Sequence, residues 1–162
     1  MKDTSVRTAQ LIVCERTGDW AGALRRALGE KSADVRECRT LADAERMLDR
    51  WSASLVAVEV TLAGFPAALR WLADLQYRWP LARAVALVSR QLDEEARWAL
   101  REAGAIHVAR SPRELRWVAS IARRQLALAP ERETTLREKI FGSLPWAADS
   151  TLETAAPRRD LR

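Results

Sequence analysis

The chain has 162 residues, of which 48% are hydrophobic, and it carries a formal net charge of +5 at pH 7. This size and apolar fraction are typical of one globular domain with a packed core and a short extension. No apolar run approaches the roughly 18 to 20 residues needed to cross a bilayer. The run before Glu15 is also too short for a secretory signal. We therefore expect a cytoplasmic protein of bacterial type that does not use a membrane as its partner.

Cysteine and histidine, the residues of most metal and nucleophilic sites, are scarce in this chain. Cys14 and Cys38 are the only cysteines, and both fall in predicted strands, where we expect two buried, reduced thiols. His107 is the only histidine and has no obvious partner for a catalytic triad or a metal site. We predict no cofactor and no metal.

Five short apolar runs alternate with five amphipathic segments. The predicted strands cover residues 11–15, 34–39, 54–60, 82–89 and 105–110, and the predicted helices cover 19–29, 41–51, 66–79, 92–103 and 112–128. This alternation is typical of βαβ units around a parallel sheet. The first, third and fourth runs are apolar almost throughout, as expected of strands covered on both faces. The second run mixes in charges, which is typical of an edge strand.

Local signals mark several helix ends. Ser111-Pro112-Arg113-Glu114 has the pattern of a capping box with proline at the first helical position. Thr40 is expected to cap the second helix, and Gly104 to end the fourth in a left-handed conformation. The sequence therefore predicts a (βα)5 sandwich that ends near residue 128.

One charge stands out within the third apolar run, "SLVAVEV" at residues 54–60. Glu59 lies near the end of this run, where a buried carboxylate is costly unless another group neutralises or uses it.

The order and spacing over about residues 9–128 resemble the receiver domain of bacterial response regulators. "LIVCER" resembles the first strand with its following acidic pair, and "DVRECRTLADAERML" resembles the second strand and helix. "SLVAVEVTLAG" resembles the strand that ends in the phosphorylated aspartate, "ALVS" the fourth strand, and "LREAGAIHVARSP" the stretch leading to a Lys-Pro pair. The resemblance implies an α/β, flavodoxin-like three-layer sandwich with five parallel strands in order 2-1-3-4-5. Residues 1–8 would form an N-terminal arm, and 129–162 an extension with a short helix and a mostly flexible tail.

The resemblance also implies that the phosphorylation site of the family is degenerate here. The acceptor aspartate falls on Glu59, the metal-binding acidic pair on Glu15 and Arg16, the switch Ser/Thr on Ser89, the aromatic switch on Val108, and the lysine on Ser111, or on Arg110 if the register slips by one. Phosphoryl transfer needs a metal to neutralise charge on the equatorial oxygens. Arg16 would instead introduce a permanent cation, so we expect no phosphotransfer.

We predict that Glu59 pairs with Arg16 across this pocket in place of the metal. Two interpretations remain open. Glu59 mimics the phosphorylated state permanently and contacts Ser89, or the pair is a structural, satisfied buried charge.

A second apolar stripe on the predicted fifth helix points to a partner surface. Trp117, Ile121 and Leu128 share this stripe, flanked by Arg113 and Arg124, and Trp98 lies off the inward stripe of the fourth helix. Exposed Trp and Arg are enriched at interfaces. In receiver domains, the surface made by the fourth helix, fifth strand and fifth helix is a usual dimer or partner face. The alternatives are coverage by the tail and incidental exposure.

The tail contains a short apolar peptide on a polar tether, "IFGSLPW" at residues 140–146. Phe141, Leu144 and Trp146 are its large apolar residues and would suit docking into a groove on another protein or folding back over the domain.

The favoured function is a non-catalytic, phosphorylation-independent regulatory or scaffolding module that binds another protein or a second copy of itself. The alternative is a nucleic-acid-associated protein that uses Arg113, Arg116, Arg123 and Arg124 on the fifth helix to bind phosphates. An enzyme on this scaffold is disfavoured, because "ERTGDW" lacks a Gly-rich phosphate loop and no nucleophile has a base nearby.

Overall fold

The computed structural model describes residues 8–29 and 34–130. Its elements in chain order are β1 (Leu11–Cys14), α1 (Asp19–Leu28), β2 (Val35–Cys38), α2 (Leu41–Arg50), β3 (Leu55–Val60), α3 (Phe65–Arg78), β4 (Arg83–Val88), α4 (Glu94–Glu102), β5 (Ala105–Ala109) and α5 (Leu115–Leu128). The strands form a parallel sheet in the order β2-β1-β3-β4-β5. The predicted order of strands and helices, the fold class and the strand order in the sheet are confirmed, whereas α4 and α5 begin later than predicted.

Helices cover both faces of the sheet and produce two apolar layers. One layer joins β-strand residues such as Val56 to Trp71 and Leu72 of α3. The other joins residues such as Leu11 to Leu24 of α1 and a buried stripe on α5. Every residue of β1 is buried, whereas the middle of β2 is exposed. The central strands are therefore apolar because both of their faces lie against helices.

Two of the three predicted helix ends are confirmed, and at the third a helical turn begins at Pro112 after Ser111 as predicted, but it is a 3-10 turn and lacks the predicted hydroxyl cap. The Thr40 hydroxyl accepts the Asp43 backbone N–H at 3.1 Å, and Gly104 has a positive φ of 116°. The Ser111 hydroxyl caps no described backbone group, because the Glu114 N–H donates to the Ser111 carbonyl oxygen instead. Pro112–Glu114 form a 3-10 turn, and α5 begins only at Leu115.

Helix α4 starts later than its sequence pattern predicts. Asp93 caps it by accepting the Ala96 N–H at 2.8 Å, so Leu92 lies before the helix, although it is buried. Leu100 is the buried residue of α4. The side chain of Leu100, larger than those of the alanines in this helix, therefore defines the face of α4 that packs against the sheet.

Strand β5 pairs irregularly with β4. Ala84 pairs with Ala105 and Val85 with His107, so Ile106 has no partner among the described residues of β4. The extra residue forms a bulge at this edge of the sheet.

No helix within the described ranges is long and apolar enough to span a bilayer. Most of the predicted arm and extension, including "IFGSLPW" with Phe141, Leu144 and Trp146, lies outside the described residues.

Candidate functional site

A pocket of about 300 Å³ lies at the carboxyl ends of β1 and β3. Ligand sites in open parallel sheets are found at this end of the strands. The polar residues around it are Glu15, Arg16, Arg39, Glu59 and Thr61. Three of these five are residues that the sequence predicted for the degenerate phosphorylation pocket.

Glu59 is held by a main-chain contact. Its carboxylate oxygen Oε2 accepts the backbone N–H of Arg16 at 2.8 Å. Glu59 and Arg16 are therefore in contact, but through the Arg16 main chain, and no ion pair joins the Arg16 guanidinium to Glu59 in the described part of the chain. The Arg16 N–H lies just beyond the end of β1, outside the sheet ladder, and is free to bind a carboxylate. The exposed guanidinium keeps its hydration, which a buried pair would lose.

Glu15 binds the N-terminus of helix α1. Glu15 is only 4% exposed. Its two carboxylate oxygens accept hydrogen bonds from the backbone N–H groups of Trp20 at 2.8 Å and Ala21 at 2.6 Å. The first N–H groups of a helix lack intrahelical partners, and a carboxylate there is favourable. The N-cap residue itself is Gly18, which has no side chain to offer. Glu15 therefore caps α1 from the preceding loop.

Arg39 is a pocket residue that the sequence reasoning missed. Its guanidinium Nη1 donates to the carbonyl oxygen of Arg16 at 2.6 Å and bridges the ends of β2 and β1. The sequence places Arg39 only in a charged edge strand, and no motif marks its role. The pocket thus has two cationic side chains at its rim.

These residues do not fit the magnesium ion that the resemblance implies. Mg²⁺ requires octahedral oxygen ligands, largely carboxylates and waters. Both Glu15 oxygens already bind helix N–H groups, and Arg16 and Arg39 place positive charge beside Glu59. No group of three or more His, Cys, Asp or Glu suits a metal within the residues that the structure describes. We therefore derive no phosphotransfer step for this chain.

The remaining predicted pocket residues lie elsewhere. Ser89, Arg110 and Ser111 line a separate cleft of about 400 Å³. The Ser89 hydroxyl is buried and has no hydrogen-bond partner among the described residues, so it makes no hydrogen bond to Glu59. The contact required for permanent mimicry of phosphorylation is missing, which favours the structural interpretation of Glu59.

Solved structures resemble the chain in fold at low sequence identity. A response regulator from Thermotoga maritima aligns with a TM-score of 0.61 and 17% identity, covering 74% of this chain and 98% of that one. A CheY-like protein from Pseudomonas aeruginosa aligns with a TM-score of 0.59 and 18% identity, covering 72% and 98%. An atypical orphan response regulator aligns with a TM-score of 0.57 and 19% identity, covering 76% and 99%. The domain has a receiver fold. No sequence-family profile and no curated protein matches the chain.

The receiver-like domain exposes large apolar side chains on three neighbouring elements. Trp98 of α4 and Trp117 of α5 are each 56% exposed, and Ile106 of β5 is also exposed. Leu128 is exposed near the end of α5, whereas Ile121 is half-buried against the apolar layer under α1 and α5. Arg113 and Arg124 are exposed. We call Trp98, Ile106 and Trp117 the α4–β5–α5 face; Ile106 was not predicted.

His107 lies beside this face in a polar cleft of the receiver-like domain. The cleft has a volume of about 170 Å³ and is lined by Arg101, Glu114 and other charged residues. Burial lowers the pKa of His107 below its usual value of 6.5, and Arg101 lowers it further, while Glu114 opposes both. Its Nε2 atom is buried without a hydrogen-bond partner in the described residues. His107 is therefore held in its neutral form more strongly than a free histidine.

Proposed function

We propose that this chain is a non-catalytic regulatory or scaffolding module that binds another protein without being phosphorylated. The observation that carries the proposal is the α4–β5–α5 face, where two tryptophans and an isoleucine are exposed on adjacent elements. Large aromatic residues supply much of the binding energy at protein interfaces. An exposed apolar group of this kind indicates an interaction site.

The contacts of the residues at the predicted degenerate phosphorylation site support a function that does not depend on phosphorylation. We call the pocket of about 300 Å³ at the carboxyl ends of β1 and β3 the former phosphorylation pocket. Glu59 accepts a backbone N–H, Glu15 caps a helix, and Ser89 lies in a different cleft. A switch that depends on a phosphoryl group needs these positions to act together around a metal. One structural neighbour, the atypical orphan regulator, is described as having a phosphorylation-independent regulatory mechanism. We extend that mode of regulation to this chain.

The contacts of the arginines on α5 favour a protein partner over nucleic acid. Arg123 donates to the carbonyl oxygen of Ala27 in α1 at 2.5 Å. Arg116 stacks over the ring of Trp117, with its guanidinium carbon 5.2 Å from the ring centroid. Two of the four arginines proposed to bind phosphate thus contact groups within the domain. The four arginines together also lie on more than one side of the helix.

The test is an affinity capture from the native host with the full-length chain, followed by mass spectrometry. The variant Trp98→Ala/Trp117→Ala removes the two largest side chains of the face. Tyr77→Ala is the matched control, because Tyr77 is an aromatic residue that is 89% exposed on α3, an element that contributes no residue to this face. A chain that ends at Ala129 tests the contribution of the tail.

We expect a specific protein that binds the full chain and the Tyr77→Ala variant and is lost from the double variant. A partner that the double variant still captures, but that the shortened chain does not, would move the function to the tail. Recovery of nucleic acid alone, with a steep dependence on salt, would overturn the proposal in favour of the alternative.

A further inference from the structure

The two cysteines of the chain lie side by side at the edge of the former phosphorylation pocket. Cys14 ends β1, Cys38 ends β2, and the two are direct register partners in the parallel sheet. Both side chains belong to the same apolar layer, both residues are 6% exposed, and both thiols are free. Neighbouring strands lie about 4.8 Å apart, and disulfides join Cα atoms separated by about 4.4–6.8 Å. The backbone therefore holds the thiols at a distance that a disulfide spans.

The two thiols also differ in acidity because they interact. Hydrogen bonding from Cys38 is the largest influence on the pKa of Cys14 and lowers it, against burial and the nearby carboxylates of Asp43, Glu59 and Glu15. The same interaction raises the pKa of Cys38, and burial adds to it. One thiol is thus the better nucleophile and the other retains its proton, as in pairs with an attacking and a resolving cysteine.

Both cysteine residues line clefts that small oxidants can enter. Cys14 lines the pocket of about 300 Å³, next to Arg16 and Arg39. Cys38 lines a second cleft of about 530 Å³ between β2 and α2, with Met47 and Trp51.

We propose that Cys14 and Cys38 form a thiol–disulfide site that is oxidised by hydroperoxides. The Cys14 thiol loses its proton, and the resulting thiolate attacks the hydroxyl oxygen of the peroxide. The S–O bond of a sulfenic acid forms as the O–O bond breaks, and the leaving oxygen takes up a proton in place of the one lost by the thiol and departs as water or an alcohol. The Cys38 sulfur then attacks the Cys14 sulfur, the S–O bond breaks, and the proton of Cys38 leaves with the hydroxide as water. Two thiols lose two electrons in total, and the peroxide gains them.

The position of this site connects it to the pocket. Cys14 and Cys38 immediately precede Glu15-Arg16 and Arg39, and the Glu15 N–H already donates to the Cys38 carbonyl oxygen at 3.0 Å. The Arg39 guanidinium joins the same two strand ends through the Arg16 carbonyl oxygen. A disulfide would add a covalent bond to this junction. The proposal does not depend on a protein partner.

The experiment uses the reduced full-length chain, treated with hydrogen peroxide, denatured, labelled with a maleimide and digested with trypsin. Cleavage after arginine releases Cys14 in residues 8–16 and Cys38 in residues 37–39. We expect both thiols to resist labelling and the two peptides to be recovered as one cross-linked species. Because the fold holds the thiols together, the cross-link should form roughly tenfold faster or more in the native chain than in guanidinium.

Variants separate the roles of the two thiols. In Cys38→Ala, we expect dimedone to trap a sulfenic acid on Cys14, and in Cys14→Ala we expect Cys38 to remain reduced. Full maleimide labelling of both thiols after peroxide treatment would overturn the proposal. So would a cross-link found only between two chains, or oxidation of Cys14 to a sulfinic acid while Cys38 stays reduced. If either variant fails to fold, the peptide map of the unmodified chain still decides.

Discussion

Replacing Glu15 with alanine should destabilise the domain, because this carboxylate caps α1 rather than binding a metal. The change removes the acceptor of two N–H groups, those of Trp20 and Ala21, at 2.8 and 2.6 Å. Hydrogen bonds to charged groups contribute about 1.5–3 kcal/mol each, so the two together contribute roughly 3–6 kcal/mol. Water can rehydrate the N–H of the half-buried Trp20 but not that of the fully buried Ala21. We therefore expect a loss near the lower limit, about 3 kcal/mol.

Urea unfolding, followed by circular dichroism, measures this loss in the free energy of unfolding. Glu15→Gln keeps the size of the side chain and one acceptor oxygen, so it should lose roughly half as much. Glu102→Ala is the control, because Glu102 is an exposed carboxylate in the last turn of α4, and such surface changes stay within about 0.5 kcal/mol. A Glu15→Ala chain as stable as this control would refute the assignment of Glu15 to the helix.

Three further predictions concern other positions. Burial lowers the pKa of His107 in the folded chain, so as the pH falls through about 6.5 the unfolded chain should bind a proton at His107 before the folded chain does. The free energy of unfolding should therefore fall with pH, and it should fall less in His107→Gln. Equal slopes of the unfolding free energy against pH in the two chains would contradict this. Gly104→Ala should lower the free energy of unfolding in urea by about 1–3 kcal/mol, because φ at Gly104 is +116° and a Cβ there would lie 3.3 Å from the Leu72 carbonyl oxygen. Gly22→Ala, within α1, should instead raise it by about 0.5–1 kcal/mol. Glu59→Asp should not restore phosphorylation by acetyl phosphate with Mg²⁺, and a mass increase of one phosphoryl group would disprove that.

The sequence was sufficient for the fold because its signals are local and repeated. Buried strands such as Leu55–Val60 are apolar throughout, and amphipathic segments between them fix the βα order. Errors occurred where two local signals competed. In the fifth helix, Pro112 and Glu114 fit a capping box, but a 3-10 turn satisfied the Glu114 N–H through the Ser111 carbonyl oxygen.

The site was predicted less completely because main-chain hydrogen bonds decide it. Side-chain types suggested an ion pair between Arg16 and Glu59, yet the contact uses the Arg16 N–H, which every residue except proline possesses. The capping role of Glu15 depends on the path of the loop from β1 to α1. The pairing of Cys14 with Cys38 depends on the register of two strands separated by a helix. None of these is encoded in a short motif.

The bulge at Ile106 has a consequence for how chains of this protein can associate. Strand β5 is one of the two edge strands of the sheet, and an edge with a regular row of free N–H and C=O groups can add a strand from a neighbouring molecule. The irregular pairing at Ala105 and His107 interrupts that row and bends the strand. Two copies that meet at this edge should therefore join through side chains, not by extending one sheet into the other. The same interruption should hinder the stacking of strands into fibrils when the protein is concentrated.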